Sequence, residues 1–253
     1  MPITEHQQQL LSRLGANYTN GLTTSEASNR RNSKIGGLNK VQKPINCPSW
    51  VCCLLPCINH IPSMKQFKYV QPDDAEVLRD GRWIRYDAAS LVVGDIVRLA
   101  EGDVVPADCV VISLGMEHVD ATTIVGDDEE DVGNTTTSSS ATNVESLTEL
   151  TVDSHYITGE TKPRHLPARS NQTVQSALLY YGSRVLEGAC IAVVTGCGEG
   201  TILAKLIKEG RWPPKQDLSD EVEEIGRMNM DESSVNDDYD SSGQGIALVQ
   251  RYS

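Results

Sequence analysis

The chain has 253 residues, a net charge of −13 and only 5% aromatic residues, with a single Phe. Polar Ser/Thr/Asp/Glu tracts take up much of its length, so its apolar residues suffice for one core of roughly 110–130 residues, flanked by arms, a loop and a tail. The acid excess argues against nucleic acid as a partner, and no apolar run reaches the roughly 20 residues that a spanning helix needs.

In chain order, Gln7–Leu14 has helical spacing, with Leu10, Leu11 and Leu14 on one side. Met1–Leu14 lacks the apolar core of a secretory signal, and the cysteines, seven and therefore odd in number, fit a reduced, cytoplasmic chain. Gly21-Leu22-Thr23 opens a second unit, with Thr24 or Ser25 as the expected cap of a helix through Arg31 and Gly36-Gly37 as its stop. This basic arm, through Lys43, Lys65 and Lys68, suits an anionic membrane surface. Pro44–Pro72 is rich in proline and is expected to be irregular. Its cysteines, Cys47, Cys52, Cys53 and Cys57, sit among Trp50, Val51, Leu54 and Leu55. Three readings stay open there: S-acylation as a multi-chain anchor, a zinc site using Cys47, Cys52, Cys57 and His60, or a plain reduced apolar patch.

From Glu76 the pattern becomes that of short strands. Glu76–Arg79, the hairpin turn Asp80-Gly81 and Arg82–Tyr86 come first, then Ile96–Leu99 and Cys109–Leu114. Gly126–Leu147, with its acidic run and Thr135–Ser140, is expected to be a disordered insert. Strands resume near Leu150, with Leu178–Val185 and Ala189–Val194 as the last two and Thr201–Lys208 as a closing helix before Trp212-Pro213-Pro214. Closely spaced strands with Gly/Asp turns predict a mainly-β sandwich or barrel. The expected division is a helical segment over 1–43, a Cys/Pro-rich linker over 44–74, a β domain over 75–208 with a disordered insert at 126–148, and a disordered acidic tail over 209–253.

Five segments in register carry a resemblance. They are Val77-Leu78-Arg79-Asp80-Gly81, Leu91 through Gly94-Asp95 to Leu99, Gly102-Asp103-Val104-Val105-Pro106-Ala107-Asp108, Val152-Asp153 through Thr158-Gly159-Glu160-Thr161-Lys162-Pro163, and Gly188 through Val193-Val194 to Gly198-Glu199-Gly200-Thr201. Together they resemble the actuator domain of P-type cation-transporting ATPases. Gly21-Leu22-Thr23, Arg30-Arg31 and Gly37-Leu38-Asn39 resemble the N-terminal segment of cation pumps, in the style of plasma-membrane proton pumps.

The resemblance implies a distorted jelly-roll β-sandwich and a role. The actuator brings its Thr-Gly-Glu loop against an aspartyl phosphate, where Glu160 orients and deprotonates the attacking water. Gly159 permits close approach, Thr158 fixes the loop, Asp153 and Thr161 support it, and Lys162 eases contact with a charged partner. Gly94-Asp95 and Pro106-Ala107-Asp108 read as structural turns. The sequence has no Asp-Lys-Thr-Gly phosphorylation motif and no glycine-rich nucleotide loop, so no cofactor is expected in this chain; magnesium and ATP enter only through a complete pump. The expected partner is the phosphorylation domain of a P-type ATPase or a pump subunit. The alternative is a stand-alone actuator-like module that docks as a regulator without catalysis. Ala204 stands where the family often has glycine.

Overall fold

The computed structural model describes residues 5–33, 37–46, 60–115, 149–167, 178–215 and 217–232. Asp80 and Gly81 both have positive φ, 51° and 72°, the conformation that a two-residue hairpin turn requires. They join strands β1 (Asp74–Arg79) and β2 (Arg82–Asp87), which pair antiparallel with Leu78 opposite Trp83. Strands β3 (Ile96–Ala100), β4 (Asp108–Leu114), β7 (Leu178–Leu179) and β9 (Ala189–Gly196) complete a six-stranded sheet in the order β2-β1-β3-β9-β4-β7. A second sheet has the order β6-β5-β8, from β5 (Glu149–Asp153), β6 (Arg164–Pro167) and β8 (Arg184–Glu187). Every strand pair is antiparallel, as the jelly-roll sandwich reading requires.

Ala189–Val194 is buried at every residue, which is why this strand reads as a continuous apolar run rather than an alternation. The sheets meet where Val105 donates to Ser183 O (2.8 Å), Gly182 to Val105 O (2.9 Å) and Val185 to Asp103 O (2.9 Å). Leu178–Val185, expected as one strand, is two pieces. Ser183 N turns back to Tyr180 O, and Gly182 sits at φ 87° with Val70 so close that a Cβ would meet it at 2.7 Å. At the far end of β4, Gly115 N bonds Ala189 O, and a Cβ on the next-door Gly188 would lie 2.3 Å from Glu149 O, where β5 begins.

The N-terminal segment does not stand apart. Helix α1 (Glu5–Arg13) puts Leu10 and Leu11 into the same core as the sheets, together with Leu14 and Val41. Helix α2 (Thr24–Asn32) is capped by Thr23, not Thr24 or Ser25, in a reciprocal box with Glu26; Thr24 instead bonds the Asp80 carboxylate. Arg30 reaches Leu14 O (2.8 Å) and Val93 O (2.7 Å). Asn39, 2% exposed, gives its amide to Ala88 O (3.0 Å) and Pro106 O (2.7 Å) and takes Gly198 N (2.8 Å).

Two expectations need correction. The Pro-rich stretch ends in helix α3 (Pro62–Val70), with Pro62 in its first turn, where proline is tolerated, and Met64, Phe67 and Val70 buried along one face. The acidic tail contains helix α6 (Ser219–Glu232), whose Val222, with the preceding Leu218, enters the core beside the closing helix α5 (Ile202–Lys208). Ala204 lies in the first turn of α5, where no glycine conformation is needed. Among the described residues no helix is long and apolar enough to cross a membrane.

Candidate functional site

After β5 the chain makes a one-turn helix, α4 (His155–Thr158), begun by Asp153 Oδ1 accepting His155 N at 2.8 Å. The Ser154 and Ser183 hydroxyls bond at 3.0 Å and tie this start to the strand-like turn opposite. Thr158 is fully buried; its Oγ1 donates to Ser154 O (3.1 Å) and accepts Glu160 N (3.3 Å). Gly159 ends the turn at φ 80°, ψ 3°, the left-handed conformation that glycine adopts without a Cβ clash, and its N–H closes on His155 O. His155 Nδ1 lies 3.0 Å from Glu160 O, so the proton on that nitrogen is the donor.

The loop thus presents Glu160 with its backbone held from both sides. The carboxyl is half-buried, and its Oε2 is shielded from solvent with no hydrogen-bond donor among the described residues. Burial pushes this carboxyl above the usual range; Arg164 opposes the shift, while Asp217, Glu223 and Asp153 add to it. Thr161 and Lys162 are exposed beyond it. A half-buried carboxylate can accept a proton from a water and align it.

The other motif acids are braces. Asp95 receives Arg79 Nε (2.9 Å) and Nη2 (2.6 Å) in a fork-to-fork pair with both side chains buried, plus Val92 N at 2.8 Å. Asp108 takes Tyr181 N (2.8 Å) and Ile202 N (2.7 Å), pinning β4 to the strand-linking turn and to the start of α5. Burial lifts its pKa to about 6. Cys109 and Cys190 are buried in the core and their thiols are pushed up by that burial, while Cys197 packs at its margin. Cys47, Cys52, Cys53 and Cys57 lie outside the described residues, and among the described residues no group of three or more His, Cys, Asp or Glu is placed to hold a metal.

Sequence reasoning missed two contacts on the loop. The Trp212 indole donates to Tyr156 O and the Leu218 amide to Thr158 O, both at 2.7 Å. Trp212-Pro213-Pro214 reads only as a helix terminator, and no spacing rule connects it to a turn more than fifty residues earlier.

Residues 69–146 match the family model of the P-type ATPase actuator domain. The chain is 24% identical over 165 residues to a sodium/potassium-transporting ATPase subunit alpha of Hydra vulgaris, covering 63% of this chain and 13% of that one. It is 49% identical over 53 residues to a probable proton ATPase 1A of Leishmania donovani (21% and 5%). It is 44% identical over 52 residues to a calcium-transporting ATPase of Plasmodium falciparum (21% and 4%). The chain therefore spans about an eighth or less of the length of these relatives, which between them are named for sodium/potassium, proton and calcium pumps. Over residues 69–146, less than a third of its length, the chain is similar to the P-type ATPase actuator domain.

Proposed function

We propose that this domain serves a cation pump by promoting hydrolysis of its aspartyl-phosphate intermediate, with Glu160 as the general base. Water attacks phosphorus, the bond from phosphorus to the aspartyl oxygen breaks, and the water proton passes to the Glu160 carboxylate. The observation that carries this reading is the Glu160 carboxyl itself: presented by a left-handed Gly159, half-buried, with one oxygen that has no hydrogen-bond donor among the described residues. A carboxylate made more basic by burial is a better proton acceptor near neutral pH. Thr158 and Gly159 fix the turn, Asp153 and Thr161 support it, and Lys162 meets the charged partner surface. The partner is the phosphorylation domain of a P-type ATPase, on the cytosolic face of the membrane; magnesium and ATP belong to that complete pump. The N-terminal motifs favour a proton pump among the cation pumps.

The test mixes the chain with a phosphorylated pump that lacks its own actuator. Glu160→Gln should slow phosphoenzyme decay by about 10²-fold or more relative to the unaltered chain, the usual contribution of a positioned general base. Equal decay rates would leave only a docking role.

A further inference from the structure

Helix α4 is a single turn of four residues, too short to be stable by itself. A helix also leaves its last carbonyls without intrahelical partners. Here His155 O is satisfied within the turn by Gly159 N, at 2.9 Å. The other two donors come from the segment that follows α5: the Trp212 indole N–H on Tyr156 O and the Leu218 amide on Thr158 O.

This segment is itself well anchored. Trp212 is 6% exposed, and Phe67 of α3 meets its ring edge-to-face at 6.0 Å and 83°. Leu218 and Val222 are buried, and Val222 N closes on Leu218 O at 2.9 Å. Gly226 lies so close to the core that a Cβ there would meet the Leu178 side chain at 3.1 Å. From the same α3 that holds Trp212, Tyr69 stacks on Tyr156 at 6.5 Å and 12°. Two donors on a buried platform therefore grip two carbonyls of the turn that leads into Gly159-Glu160, Tyr156 O and Thr158 O.

We propose that Trp212 is a positioning residue for Glu160: its indole N–H, acting with the Leu218 amide, fixes the turn that presents the carboxylate. The site is then assembled from the loop and from the chain more than fifty residues beyond it. The structural claim does not need the actuator reading; only its consequence for phosphoenzyme decay rests on that reading.

The test uses the full chain. Trp212→Phe keeps an aromatic ring against Phe67 and deletes the N–H. Val222→Ala removes buried surface from the same segment and leaves both hydrogen bonds. Trp212→Phe should speed amide hydrogen exchange at Gly159 and Glu160 by about tenfold or more, as loss of a hydrogen bond worth about 1.4 kcal/mol would. It should also move the Glu160 carboxyl titration, followed by ¹³C NMR. Val222→Ala should lower the melting temperature and change neither readout. In the unaltered chain the Trp212 indole proton should exchange as slowly as the Gly159 amide.

A fast-exchanging indole overturns the proposal without any variant, as does exchange at Gly159 and Glu160 that tracks lost stability equally in both variants. In the phosphorylated-pump assay, positioning predicts a lower maximal decay rate for Trp212→Phe with an unchanged half-saturating concentration; a change in half-saturation alone contradicts it. If the unaltered chain fails to accelerate decay, the actuator reading fails, while the exchange and titration results still decide the role of Trp212.

Discussion

Replacing Asn39 by Ala should destabilise the whole chain by about 3–5 kcal/mol. Its side chain is 2% exposed and makes three hydrogen bonds, to Ala88 O, Pro106 O and Gly198 N, at 2.7–3.0 Å. Losing one such bond costs about 1 kcal/mol net, and a buried group left with no partner costs about 1–3 kcal/mol, so one lost bond and two orphaned groups in the lower half of that range total about 3–5 kcal/mol. The Pro106 carbonyl and the Gly198 amide cannot reach water, because both residues are buried, whereas Ala88 O keeps its bond from Leu91 N. The loss is a large share of the 5–15 kcal/mol that typical domains possess. Urea unfolding followed by tryptophan fluorescence reads it directly: the midpoint should fall with the slope unchanged. A loss under about 1 kcal/mol would refute the reasoning. So would two separate transitions, because they would mean that the N-terminal segment detaches alone and that its seam with the sheets carries no shared stability.

Asp108 gives a pH test. Between the ordinary value of 3.8 and its folded value of about 6, the folded chain keeps a proton that the unfolded chain has released. The stability contributed by this group is therefore present at low pH and lost as pH rises through about 6. Comparing the chain with Asp108→Asn, the stability difference should shift by about 2 kcal/mol in favour of the variant between pH 4.5 and 7, from 1.36 kcal/mol per pKa unit; a pH-independent difference would contradict it. Gly159→Ala forces a Cβ into the left-handed region at φ 80° and should cost about 1–2 kcal/mol in urea unfolding, with loss of the Glu160 amide's protection from exchange. An unchanged midpoint would mean that the turn relaxes without strain.

Local chemistry was legible wherever a residue type dictates its own backbone. Asp80-Gly81 announces a hairpin because few other pairs tolerate two positive φ angles in succession, and Gly159 marks the end of its turn because a single φ of 80° favours glycine. Helices α3 and α6 were obscured by their surroundings. Five prolines between Pro44 and Pro72 hide the Met64, Phe67, Val70 stripe, and the acids of the tail hide Leu218, Val222 and Ile225, although in both cases the apolar spacing is helical. The grips of Trp212 on Tyr156 and of Asn39 on Pro106 and Gly198 leave no trace in any local pattern, because they join residues brought together only by the folded chain.

The contact between Gly115, Ala189, Gly188 and Glu149 has a consequence for how this gene can change. The end of β4 and the start of β5 lie beside two consecutive residues, Gly188 and Ala189, so Gly115 and Glu149 are held close together. The entropy of closing a flexible connection between two such fixed points rises only with the logarithm of its length, about 0.6 kcal/mol per doubling. Length at this point is thus almost free of thermodynamic constraint, and sequence can accumulate or vanish there while both sheets keep their register.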